Sequence, residues 1–252
     1  MTLWRLEWLR LIRTRRWIAL FGVFVFFGFL GPLTAAYLPE IIGFAGGDLE
    51  GAIVEFPPAV PSDGMIQYIA NAMQIGTLVA VVVVAGALAF DAIPEMGVFL
   101  RTRVSNVRAI LLQRIVLSSA FVVTAFVAGA LAAWYETLVL LGAVDVGAVL
   151  IGIVLGALFL LFVIALVAAA AGRASSVLGT VMSSIVVLLV MPLLGISEAI
   201  GRWLPTHLSG ALGALTAGDL EPGDYLPATM VTAAAIAVLL WVAIRLAEAR
   251  EL

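Results

Sequence analysis

Cysteine and lysine are both absent from this 252-residue chain, and histidine occurs once, at His207. Each absence removes a class of chemistry. Without cysteine there are no disulfides, thiolate nucleophiles or thiolate metal sites. Without lysine there is no Walker A phosphate loop, whose lysine reaches the nucleotide phosphates, so the chain is not a complete ATPase of that kind. A single histidine excludes the paired-histidine zinc helix HExxH. Charge is scarce as well: charged residues make up 12% and the net charge is −3. That balance gives no footprint for nucleic acid, and no basic aromatic patch stands outside the flanks of the apolar segments.

What fills the chain instead is apolar. Hydrophobic residues make up 64% and the mean hydropathy is +1.20, whereas soluble domains sit near 45–50% apolar and about 25% charged. A water-soluble globule of this length still exposes a large surface and has no room to hide so much hydrocarbon. A membrane helix needs about 20 apolar residues to cross roughly 30 Å. Six stretches qualify, near 17–38, 69–90, 115–134, 146–171, 177–196 and 226–244. Each is apolar all round, as lipid-immersed or bundle-core helices are, and none alternates as barrel strands do. The expected fold is therefore all-α: one polytopic transmembrane domain over residues 1–252 with six transmembrane helices.

The arginines orient it. Arg5, Arg10, Arg13, Arg15 and Arg16 precede the first span, and Arg101, Arg103, Arg108 and Arg114 lie between spans two and three. Arg173 follows span four, while Arg245 and Arg250 follow span six. The alternate connections carry only Arg202, but hold eleven acids from Glu40 to Asp224. The positive-inside rule then places both termini in the cytoplasm of a cell inner or plasma membrane, with the chain multi-pass. The Thr34-Ala35-Ala36 run is faintly like a signal cleavage site, but the apolar stretch exceeds the 7–15 residues of a signal core, so the first span is expected to be retained.

Between the spans, Trp4, Trp8, Leu11 and Ile12 share one helical face of residues 1–16, with Arg10 and Arg13 opposite. This spacing predicts an interfacial helix with tryptophans at headgroup depth, or a simple positive anchor. Residues 39–67 read as an irregular outer loop with four prolines and five acids. Residues 197–225 are apolar yet broken by Gly201, Pro205, Gly210, Gly213 and Gly218; such a segment can dip into the membrane and return where protein buries its backbone. Glu198 and Arg202 are spaced to pair, and His207 reads as interfacial rather than as a metal ligand, there being no further ligands nearby.

Inside the spans, Gln67, Asn71 and Gln74 form an i, i+4, i+7 stripe on span two, and Ser183 and Ser184 lie in span five. They are candidate pathway-lining residues, or simply interhelical hydrogen bonders. Gly152 and Gly156 form a GxxxG that favours close packing. No acid, arginine or histidine falls at the middle of a span, where ion-coupled transporters keep one; if the protein moves a substrate, the energy comes from elsewhere. An intramembrane serine hydrolase is a remote alternative on Gly195-Ile196-Ser197-Glu198, because its only base, His207, lies ten residues on in a loop.

The inner segment 91–114 carries a family pattern. A basic N-terminal stretch runs through Arg15-Arg16-Trp17 into a first span with Gly31-Pro32. Span two leads to Phe90-Asp91-Ala92-Ile93, then Glu95 and Gly97, and Ile110-Leu111-Leu112-Gln113-Arg114 opens span three. This layout resembles the membrane-spanning permease subunits of type 2 ABC transporters, mostly exporters, with Glu95, Gly97 and Arg114 in the places of the family's acid, glycine and closing base. Val98 stands where a threonine is usual. The resemblance implies a subunit with no ATPase and no cofactor of its own, ATP and Mg being expected on a separate ATP-binding-cassette ATPase subunit. It implies a second permease copy or sister permease, residues 2–13 as an elbow helix, and spans two and five at the dimer interface. The loop 91–104, with Asp91, Glu95, Met96, Gly97, Phe99, Arg101 and Arg103, would couple to the ATPase. The competing class is a non-transporting membrane scaffold or assembly factor. On either reading the partners include membrane lipid and no nucleic acid.

Overall fold

A computed structural model describes residues 3–38, 40–41, 58–88, 107–174 and 176–249. Among these residues there is no strand; every regular element is helical. In chain order they are α1 (Leu3–Arg13), α2 (Arg16–Ala36), α3 (Pro61–Leu88), α4 (Val107–Leu140), α5 (Val146–Arg173), α6 (Val177–Leu194), the short α7 (Ala211–Ala217) and α8 (Leu226–Ala249). Six of them, all but α1 and α7, are long and apolar enough to cross a membrane.

The helices outrun the apolar stretches that mark them. α3 begins at Pro61 rather than near 69, and α4 spans Val107–Leu140 rather than 115–134. Hydropathy locates only the hydrocarbon-facing centre of a span, whereas helical hydrogen bonding continues into the polar zone. At 34 residues, α4 is about 51 Å long, more than a bilayer core of roughly 30 Å requires. The start of α3 also shortens the expected outer loop: residues 61–67 are helical. Pro61 sits at the first helical position, where its missing N–H costs nothing, and the Asp63 carboxylate accepts the Val60 N–H at 2.8 Å. Asp145 and Ser176 cap α5 and α6 in the opposite sense: as N-cap residues they accept from the Ala148 and Gly179 amides three positions on.

The bundle is closed by glycines at helix crossings. A Cβ on Gly129 of α4 would lie 2.3 Å from the Phe24 carbonyl oxygen of α2, and one on Gly28 would lie 2.5 Å from the Gly129 oxygen. The backbones of α2 and α4 thus touch directly. Phe24 and Phe126 meet edge to face beside them, and the buried Tyr68 hydroxyl donates to the Phe126 carbonyl at 3.0 Å, tying α3 to α4. The glycine pair of α5 does not serve one partner helix. Gly152 faces Leu212 of α7, while Gly156 faces Phe126 and Met73.

α5 is the centre: 67% of its apolar window is buried, against 17% for α6 and 11% for the helix that contains α8. The stretch 197–225 forms short helical turns around α7, with Leu208, Ala211, Leu212 and Leu215 buried. Gly213 packs on Ile66 and Ile69 of α3, so this broken segment caps one end of the bundle. The acids Asp63, Asp145, Asp219 and Asp224 lie at that end, whereas Arg10, Arg114, Arg173 and Arg245 lie on helix ends that gather at the other.

Gly129→Ala is expected to lower stability by about 1–3 kcal/mol through overpacking. Gly22→Ala, where a Cβ meets nothing within 4 Å, is expected to be neutral or mildly stabilising. Thermal unfolding in one detergent compares the two; equal effects would refute the backbone contact.

Candidate functional site

Among the described residues, the basic end of the bundle holds one buried charge. Arg114 lies on the inward stripe of α4 with Ile110, Leu111, Leu117 and Ser118, and only 6% of it is exposed. Moving a guanidinium from water to such a place costs several kcal/mol unless charge and hydrogen bonds return it. They come from two other segments. Glu7 of α1 accepts from Arg114 Nε at 3.0 Å and pairs with Nη2 at 2.9 Å. The carbonyl of Ala87, in the last turn of α3, accepts from Nη1 at 3.2 Å.

Local sequence puts Glu7 there. α1 lays Leu11 and Trp8 against α4; Leu11 is buried and the Trp8 ring lies 5.1 Å from that of Phe121. Glu7 is four residues before Leu11 and so shares this inner face. α1 ends in a tight reversal. Arg15 adopts a left-handed conformation with φ 52°, and the Arg15 amide donates to the Ile12 carbonyl. α2 departs from there. A second ion pair, Arg108–Glu248, fastens the start of α4 to the end of α8, with Arg245 3.9 Å from the same carboxylate.

Arg114 and Ala87 flank the loop on which the coupling residues were expected. Asp91, Glu95, Met96, Gly97, Phe99, Arg101 and Arg103 lie outside the described residues. The described flanks are joined to each other and to α1 by one side chain.

The candidate pathway residues do not form one site. Gln67 and Asn71 are half-buried near the acidic end, and Asn71 Nδ2 donates to the Gln67 carbonyl of its own helix. The even stripe fails at Gln74, which is exposed. Residues Ala72–Gly76 form a wide π turn, so the 3.6-residue spacing loses phase there. Ser183 is exposed and Ser184 buried on α6, and both hydroxyls donate to carbonyls one turn back. α6 packs on α5 and the Thr77–Leu88 half of α3, away from Gln67.

His207 stacks on Tyr225 with ring centres 4.8 Å apart. Burial pulls its pKa below the ordinary value, and Asp224 opposes that shift. No hydrogen bond joins His207 to the exposed Ser197 among the described residues. Arg202 lies over the Trp203 ring at 6.0 Å. No three His, Asp or Glu side chains gather as a metal site among the described residues.

Arg114 entered the sequence reading as a topology-setting base and as the closing base of the family pattern, not as a buried clamp, and Glu7 did not enter it at all. The signal was present: Glu7 is an acid on the apolar face of an amphipathic helix, which requires a buried base opposite.

Arg114→Ala and Glu7→Ala are each expected to cost up to about 3–5 kcal/mol, because each removes a close partner from a charge held largely out of water. The double substitution is expected to cost much less than their sum. Unfolding of the four proteins in one detergent measures the coupling; additive losses would mean the pair carries no interaction.

None of the protein-family models, curated proteins or solved structures compared with the chain matches it.

Proposed function

We propose that the chain is the membrane-spanning permease subunit of an ATP-binding-cassette transporter, an exporter of a lipid-like, drug-like or peptide substrate. One observation carries the reading: Arg114 binds the flank of α3, the start of α4 and helix α1 into one unit around the loop 89–106. Helix ends joined in this way would pass a push on any one of them to the other two, as a coupling region must. Rigid bodies and short stiff connections are what alternating access needs. The resemblance of residues 91–114 to the type 2 permease pattern supports the same assignment by analogy.

On this reading the arginine-bearing end faces the cytoplasm by the positive-inside rule, and both termini lie there. α1 is the elbow helix at the inner interface. ATP and Mg act on the partner ATPase, whose differential affinity for nucleotide in two states supplies the driving force. The little-covered α6 and the exposed Gln74, Ile75, Leu78 and Val82 of α3 form the face offered to a second permease. Catalysis is assigned no role in this chain.

Purification from its native membrane in mild detergent is expected to bring an ATP-binding-cassette ATPase with the chain. Glu95→Arg is expected to lower substrate-stimulated ATP hydrolysis of that complex severalfold while leaving membrane insertion intact. A chain that purifies without any ATPase yet retains its cellular role would identify the scaffold alternative instead.

A further inference from the structure

The reversal between α1 and α2 collects more positive charge than the bundle needs. Arg114 is answered by Glu7, but Arg10 and Arg16 face the same crevice, which is lined by Glu7, Thr14, Ala87 and Ser118 as well. Three arginines and one carboxylate therefore line this crevice. Arg10 reaches only the outer oxygen of that carboxylate, at 3.5 Å. Arg16 is half-buried, and no ion pair or hydrogen bond reaches its guanidinium among the described residues. It lies instead against the backbone of α3, where a Cβ on Gly86 would be 3.0 Å from its Nη1. Arg10 is close enough to repel both Arg16 and Arg114. Like charges held together in a partly desolvated crevice lower their energy by taking up an anion.

The surroundings indicate which anion. A second, apolar crevice adjoins the basic one and shares Leu11 and Ser118 with it; Trp17, Leu20, Val84 and Phe121 line it. Trp17 is exposed where it lines this crevice, and the exposed Trp8 lies against Phe121 of its wall. Tryptophans at this position mark headgroup depth in a membrane helix. Both recesses are small, about 10 Å³ each, so a ligand lies across their mouths, and a basic mouth beside an apolar one suits a molecule with an anionic phosphate at one end and hydrocarbon at the other. Free phosphate would leave the apolar part unused.

We propose that the crook between α1 and α2 binds the phosphodiester headgroup of an anionic phospholipid, held by Arg10 and Arg16 with its first acyl carbons against Leu11 and Trp17. Arginine suits this role because its planar fork donates to two phosphate oxygens at once. Basic pockets between helices at the membrane surface take such headgroups. The site is independent of the transport reading, since it requires only that this end of the bundle lie at a bilayer surface.

The test uses the full chain in nanodiscs of mixed phosphatidylglycerol and phosphatidylcholine, with retained lipid counted by native mass spectrometry. The wild type is expected to retain phosphatidylglycerol preferentially. Arg10→Gln and Arg16→Gln are each expected to weaken that retention roughly fivefold. The paired control Arg5→Gln with Arg13→Gln removes two exposed arginines of the same region and is expected to change it little. A photoreactive headgroup on phosphatidylglycerol, used with the wild type alone, is expected to label residues 7–17 and 83–87. Equal retention of both lipids, equal losses in the control, or labelling confined to other basic ends would overturn the proposal. So would inorganic phosphate displacing the lipid at low millimolar concentration, which would make the site one for a free anion.

Discussion

The basic end of this bundle is organised around one buried cation. An arginine that is almost wholly removed from solvent must have its charge and its N–H groups answered, and Arg114 has both answered by segments far from it in sequence. Glu7 stands 107 positions away and Ala87 27 positions away. Both contacts are made in a low-dielectric place, where an unanswered polar group costs most. α1 is thereby held on α4 by more than the burial of Leu11 and Trp8, and the ends of α3 and α4 are held at one spacing.

The opposite end is closed by different means. There the contacts are apolar and backbone-close: Gly152 under Leu212, Gly213 on Ile66 and Ile69, Gly64 beside Thr137. Side-chain hydroxyls in α6 and α8 are satisfied within their own helices, as Ser184 and Thr232 are by carbonyls four residues back. Interhelical polar bonds are thus few, and shape does most of the holding, as expected where lipid removes the hydrophobic drive between helices.

Much of the architecture was legible in the sequence. The six apolar stretches and the alternation of arginine with acid follow from hydrocarbon thickness and charge alone, and six helices of the required length and apolarity stand where those stretches lie. Helix ends were less legible, because Pro61 and Asp63 start α3 within a segment whose composition reads as loop. The stripe Gln67, Asn71, Gln74 was read on a uniform helix, and the π turn at Ala72–Gly76 breaks that assumption through packing that no spacing rule contains. The Glu7–Arg114 pair was hidden because sequence separation conceals contact, although each residue lies on an otherwise apolar face. The GxxxG of α5 favoured close packing without naming a partner, and its two glycines pack closely on different neighbours.

The absence of cysteine allows the central claim to be tested with a single introduced thiol. Phe99→Cys places the only thiol of the chain within the loop that Arg114 and Ala87 bracket. In sealed native vesicles of known sidedness, the account predicts that this thiol is labelled only from the cytoplasmic face. It predicts further that a short bifunctional reagent joins it to an ATP-hydrolysing polypeptide, with a yield that changes when nucleotide is added. Labelling from the outer face, or cross-linking that never captures such a polypeptide, would contradict the account.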